Sequence, residues 1–211
     1  MTRIKICGIK TLPDALAAME AGADMLGFNF YPKSPRFIEI DRCAGITGAL
    51  RHSDPSVLLV GVFVNASVED IERALKTCNL DLAQLSGDES PELCAALKSR
   101  AFKAFHGIAD HSVQPYVRTD APAFLVDAAA KGAYGGTGRA ADWSSAARLA
   151  RQYPILLAGG LKPDNVAEAV DRVRPWGVDV ASGVEAEPGR KDAARMKAFV
   201  NAVHSMELES S

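Results

Sequence analysis

Short apolar runs of four to six residues recur along this chain at intervals of roughly 20 to 33 residues, with amphipathic stretches between them. The runs are Ile4–Cys7, Met25–Phe30, Leu58–Phe63, Leu80–Gln84, Phe102–Phe105, Phe124–Asp127, Ile155–Ala158 and Val178–Ala181. They are continuous rather than alternating, the pattern of parallel strands buried on both faces. The stretches Pro13–Ala21, Val68–Cys78, Ala146–Tyr153, Asp164–Val173 and Asp192–His204 place apolar residues at helical spacing. Eight strands alternating with about eight helices predict an α/β fold, a single (β/α)8 barrel of the TIM type. A doubly wound open sheet is the competitor, but Cys7-Gly8-Ile9-Lys10 after the first strand is no dinucleotide fingerprint.

Local signals agree with the helices. Ser67 precedes Glu69 and Asp70 as an N-cap with acids in the first turn, and Ser90-Pro91-Glu92 puts proline at the first helical position. Lys162-Pro163-Asp164 resembles the latter. The weakest helix pattern is His111–Val117, short and interrupted by Pro115. No linker or low-complexity segment divides the chain, so residues 1–205 are expected to form one barrel and residues 206–211 a short polar tail.

A formal charge of −2 and no lysine–arginine cluster argue against nucleic acid as a partner. No apolar run approaches the roughly 18 residues of a membrane span, and no apolar leader is visible at the N-terminus. Cys7, Cys43, Cys78 and Cys94 show no zinc-binding spacing, and a chain with this much aliphatic core needs no disulfide framework. The expectation is a soluble cytoplasmic protein without metal or cofactor, acting on a small molecule as a monomer or homodimer.

Barrel chemistry sits on the loops that follow the strands. Cys7 and Asp127 both end strand-like runs, and Arg36 lies in the loop after the second. Barrel closure would put strands seven and eight between Cys7 and Asp127. The turns Gly159-Gly160 and Ser182-Gly183 read either as tight turns or as backbone N–H cradles for phosphate. Two such turns after strands seven and eight favour the cradle. Gly135-Gly136-Thr137-Gly138 in loop six is a flexible connection or a lid over substrate.

The side chains carry similar alternatives. Cys7 is a small buried hydrophobe or, with a pKa lowered from roughly 8.5, a general base. Asp127 is a solvated or capping acid, or a general acid whose pKa burial has raised. Arg36 is a surface cation or, stiffened by Pro32 and Pro35, a bidentate clamp for a carboxylate. Cys43, Cys78 and Cys94 fall in helical stretches, and of His52, His106, His111 and His204 only His106 reaches the rim. One thiol, one carboxyl and phosphate-type turns together point to acid–base chemistry on a phosphorylated small molecule.

The blocks Lys5-Ile6-Cys7-Gly8-Ile9, Gly27-Phe28-Asn29-Phe30-Tyr31-Pro32-Lys33-Ser34-Pro35-Arg36, Gln84-Leu85-Ser86-Gly87-Asp88-Glu89, Leu157-Ala158-Gly159-Gly160-Leu161 and Asp179-Val180-Ala181-Ser182-Gly183-Val184-Glu185 resemble the phosphoribosylanthranilate isomerase family of tryptophan biosynthesis. The resemblance runs from residue 3 to about residue 200 in the family's order. It implies a cofactor-free, metal-free Amadori rearrangement of N-(5′-phosphoribosyl)anthranilate to 1-(2-carboxyphenylamino)-1-deoxyribulose 5-phosphate. By the same resemblance Cys7 is the general base, Asp127 the general acid and Arg36 the ligand of the anthranilate carboxylate. The chain departs from the family pattern at Ser86, where histidine usually follows the strand-four Gln–Leu pair.

Three rival readings are weaker. A histidine-pathway aminoaldose isomerase would carry two phosphate grips and a pair of acids, whereas here the base position is a thiol. A silent sensor of aminosugar phosphates would have no need of both Cys7 and Asp127. A redox sensor at Cys7 lacks a resolving cysteine nearby in sequence.

Overall fold

Arg3 and Lys5 of the first strand pair with Gly177 and Asp179 of the eighth, closing a ring of parallel strands in a computed structural model that describes residues 1–53, 56–106, 113–128 and 143–208. The elements run β1 Arg3–Cys7, α1 Leu12–Ala21, β2 Met25–Asn29, α2 Ile40–Ser53, β3 Leu58–Phe63, α3 Val68–Thr77, β4 Leu82–Leu85, α4 Pro91–Ala96 and β5 Ala101–His106. They continue with β6 Phe124–Asp127, α5 Trp143–Ala150, β7 Ile155–Ala158, α6 Val166–Val173, β8 Gly177–Val180, a small hairpin β9 Glu185–Glu187 and β10 Arg190–Lys191, and α7 Ala193–Leu208. Strands β1 to β8 are hydrogen-bonded in chain order, so the expected (β/α)8 barrel is the fold.

The strands read as unbroken apolar runs because each buries both faces. Inward-facing Met25, Val60, Leu82, Phe102, Leu125 and Leu156 fill the barrel. Ile4, Ile6, Leu26, Phe28, Phe124 and Val178 point outward into the layer shared with the helices. The inner and outer sets differ by one residue, so a one-residue slip of any strand would exchange them and drive its register off.

Helix starts follow their caps. The side chains of Thr11, Ser67 and Ser90 accept hydrogen bonds from the backbone N–H groups of Asp14, Asp70 and Leu93, three residues on. Some elements differ from expectation. Helix α6 begins at Val166 rather than Asp164, because Asn165 turns back to accept from Lys162 N and donate to the Gly160 carbonyl. Helix α5 runs Trp143–Ala150, since Tyr153 precedes Pro154 and is disfavoured in helical geometry. Between β5 and β6 the described residues hold only a 3-10 turn, Gln114–Tyr116, around Pro115; His111 lies outside the described residues. The described residues therefore hold seven α-helices rather than about eight. Helix α7 continues through Leu208, past the expected start of the tail at residue 206.

Candidate active site

Cys7 closes β1 with only 8% of its surface exposed, beside Gly27 of β2. Two residues earlier on the same face, Lys5 is fully buried. Its ammonium donates to Gln84 Oε1 at 2.9 Å and to Asp179 Oδ1 at 2.8 Å, which forms a polar layer above the apolar filling of the barrel. Gln84 Nε2 in turn donates to Ser86 Oγ at 3.1 Å. Burial works to lower the pKa of Lys5, but Asp179 and Cys7 outweigh it, so Lys5 is a fixed cation beneath the thiol.

Burial raises Cys7 and Asp179 adds to the rise; Lys5 and Lys191 oppose it without cancelling it. The thiol is held above its ordinary value of 9.0, and the site without substrate favours S–H over the thiolate. That differs from a cysteine activated in advance by its neighbours.

Arg36 reaches the same place from the loop after β2. Asn29 Oδ1 accepts from Tyr31 N, and Ser34 Oγ accepts from Arg36 N, so the loop is stiffened by its own side chains as well as by its prolines. The stem of Arg36 lies across the end of β1: a Cβ built on Gly8 would sit 2.5 Å from Arg36 Cδ. The guanidinium donates through Nε and Nη2 to the two oxygens of Glu185, at 2.8 and 2.7 Å. Lys191 Nζ donates to the same carboxylate at 3.0 Å and to the Ala181 carbonyl at 3.0 Å. The β9–β10 hairpin thus carries an acid and a base inward to brace Arg36. Its glycine, Gly189, has φ +83° and lies against the Pro35 carbonyl oxygen, which also accepts from Lys10 Nζ at 3.1 Å.

Asp127 closes β6, half-buried, with β7 and β8 between it and β1 as the ring order requires. Its register partner on β5 is His106, and His106 Nδ1 stands 3.5 Å from Asp127 Oδ2. His106 Nε2 lies 3.1 Å from the carbonyl oxygen of Ser86.

The glycine turns converge. Gly159 and Gly160 follow β7 with φ of +102° and +66°, values that favour glycine. After β8, Ser182–Val184 forms a 3-10 turn in which a Cβ on Gly183 would meet the Leu161 carbonyl oxygen at 1.9 Å. Only glycine lets the two loops approach this closely. Gly135, Gly136, Thr137 and Gly138 lie outside the described residues.

The structure therefore gathers Cys7 and Arg36 into one charged cluster drawn from β1, the loop after β2, β4, β8 and the β9–β10 hairpin, and places Asp127 with His106 on β5 and β6. The cluster's other members, Lys5, Gln84, Asp179, Glu185 and Lys191, had no role from sequence. The available signal was a charged residue inside an otherwise apolar strand, two positions before a rim residue: Lys5 before Cys7, and Asp179 before Ala181. Among the described residues no group of three or more His, Cys, Asp or Glu is placed to hold a metal, and no helix is long and apolar enough to cross a membrane.

Known proteins of similar sequence and shape supply the comparison. The model of the N-(5′-phosphoribosyl)anthranilate isomerase family matches residues 4–202. The N-(5′-phosphoribosyl)anthranilate isomerase of Citrifermentans bemidjiense is 48% identical over 200 residues, covering 95% of this chain and 96% of that one. The crystal structure of phosphoribosyl anthranilate isomerase from Thermotoga maritima superposes with a TM-score of 0.87 at 38% identity, covering 97% of this chain and 100% of that one. A solved phosphoribosyl anthranilate isomerase in complex with reduced 1-(o-carboxyphenylamino)-1-deoxyribulose 5-phosphate superposes at 0.83 with 36% identity, over 97% and 100% of the two chains. Likeness of that extent in sequence and in fold makes the chain a member of the N-(5′-phosphoribosyl)anthranilate isomerase family.

Proposed function

We propose that this barrel performs its family's reaction, the Amadori rearrangement of N-(5′-phosphoribosyl)anthranilate in tryptophan biosynthesis, with Asp127 as general acid and Cys7 as general base. The observation that carries the reading is the braced cation cluster over which Cys7 sits: Lys5, Arg36 and Lys191 against Asp179 and Glu185, an arrangement with one formal positive charge to spare. A carboxylate-bearing substrate supplies that missing negative charge.

The substrate's phosphate sits on the N–H groups of Gly159, Gly160, Ser182 and Gly183, and its anthranilate carboxylate takes the edge of the Arg36 guanidinium that Glu185 leaves free. Asp127 protonates the furanose ring oxygen; the ring C–O bond breaks and the arylamine nitrogen forms an iminium with C1′. This cation acidifies the C2′ proton and also lowers the pKa of the nearby Cys7, whose thiol proton leaves to water. The thiolate removes the C2′ proton to give the enolamine, which tautomerises to the ketone. Cys7 as a resting thiol is suited to this order, since the base appears when the cation that needs it has formed.

The test is conversion of phosphoribosylanthranilate, generated in place, by wild type, Cys7→Ala and Asp127→Asn, with binding of the reduced product analogue measured in parallel. Both variants are expected to bind the analogue and to lose about 10²-fold or more in rate. A wild type that binds the analogue without turning over substrate would sink the assignment.

A further inference from the structure

A lone aspartate is protonated only to about one part in a thousand at pH 7, from an ordinary pKa of roughly 3.9. We infer that His106 is the positioning residue that keeps Asp127 supplied with its proton. The inference rests on Asp127 being the general acid.

The geometry assigns the protons. The parallel ladder of β5 and β6 pairs His106 with Asp127, so both side chains leave the same face of the sheet at the rim. The Ser86 carbonyl, 3.1 Å from Nε2, can only accept, so Nε2 carries a hydrogen in either charge state of the ring. Nδ1 is thereby turned to Asp127 Oδ2 at 3.5 Å, and one proton is shared between them. The pair is either imidazolium with carboxylate or imidazole with carboxylic acid, two microstates of one titration.

Among the described residues, two charged groups act on the ring. Asp127 faces it from β6 and holds the ring above its ordinary 6.5; Lys103 of β5 opposes that charge but is itself tied to Glu89 at 3.0 Å. The pair therefore keeps its proton to a higher pH than a carboxyl alone. In turnover the pair's one proton moves from Nδ1 to Oδ2 and on to the ring oxygen, which leaves neutral imidazole beside carboxylate, and the pair recovers its proton as the enol O–H is lost on ketone formation. No other reactant is needed. His106 acts through Asp127 and has no separate contact with substrate in this scheme.

The ring is largely exposed, at 61%, so its replacement leaves the core intact. His106→Asn keeps a polar group near the place of Nδ1 but cannot titrate; His106→Ala removes both. The experiment is the pH profile of kcat and kcat/KM for these variants, with NMR titration of the His106 ring in wild type and Asp127→Asn. Expected are a fall of about tenfold or more in kcat at pH 7.5 for both variants, a shift of their alkaline limb toward acid by about one pH unit or more, and a fall of the ring pKa toward 6.5 in Asp127→Asn. An unshifted limb in His106→Asn, or a ring titration indifferent to Asp127→Asn, overturns the inference. If Asp127→Asn itself isomerises at the wild-type rate, the acid assignment has failed, and that result is distinct from both.

Discussion

Glu185 grips Arg36 through two parallel hydrogen bonds, from Nε at 2.8 Å and Nη2 at 2.7 Å, across 149 residues of chain. The guanidinium is then rigid before substrate arrives, and its remaining edge is aimed rather than free. Glu185→Gln keeps the shape and removes the charge. The KM for phosphoribosylanthranilate should rise about 10- to 100-fold, the equivalent of roughly 1.5–3 kcal/mol of charged hydrogen bonding, with a smaller change in kcat. Binding of a product analogue that lacks the carboxylate should change little; an equal loss for both ligands would mean that Glu185 holds the fold rather than Arg36.

The same carboxylate sets part of the acid stability. Burial works to raise the Glu185 pKa, but Arg36 and Lys191 outweigh it and hold the group below its ordinary 4.5. A depressed folded pKa gives stability that is present above the unfolded value and lost as pH falls through the folded one. Urea midpoints of the wild type should therefore fall as pH drops below about 4.5, and the gap to Glu185→Gln should narrow over the same range. A constant gap would assign the difference to shape rather than to charge.

Cys7 should behave as a reluctant nucleophile in the absence of substrate. Its alkylation by iodoacetamide, followed on the Cys7 peptide by mass spectrometry, should rise only above the ordinary thiol value of 9.0. Lys5→Met removes the cation that opposes this rise and should move the midpoint further up. A midpoint near neutrality would show a cysteine activated before substrate binds.

Lys5 and Asp179 share the barrel interior, with side chains 0% and 10% exposed. Asp179→Asn leaves a buried ammonium without its counter-charge and should cost about 3–5 kcal/mol in urea denaturation. Lys5→Met combined with Asp179→Leu should recover most of that loss, because an apolar pair of similar volume needs no compensation. If the single variant costs as little as the double, the pair is not a buried ion pair in solution.

Gly183→Ala tests the phosphate loops. The new Cβ meets the backbone oxygen of Leu161, which cannot rotate away as a side chain would, so loops seven and eight must separate. Calorimetric affinity for the phosphorylated product analogue should drop by about tenfold or more, near 1.4 kcal/mol, with the melting temperature little changed. Undiminished affinity would place the phosphate elsewhere on the rim.

The barrel was legible because parallel strands buried on both faces leave an unmistakable apolar trace. Where the trace misled, a polar residue faced inward. The apolar pattern places β4 at Leu80–Gln84, but it runs Leu82–Leu85: Gln84 reads as the end of the run, while in the barrel it serves Lys5 and lets the strand continue. Cys7, Asp127 and Arg36 stand where the strand ends predicted. Their partners did not show, because Glu185 becomes Arg36's neighbour only through ring closure and a hairpin, and Asp179 meets Lys5 only through the β1–β8 register. Sequence spacing carries no record of either.

The first strand is bonded to the last, and the same seam is spanned higher up by Arg36 and Glu185. A nascent chain that has emerged through the Gly159-Gly160 turn after β7 already owns Cys7 and Arg36, yet it has no clamp, because the brace is still unsynthesised. With Arg36 in its proposed role, recognition of the carboxylate comes into being at the moment the ring shuts. An anion seated on Arg36 acts afterwards as a rivet across that seam, so that occupancy and cohesion of the two chain ends rise and fall together.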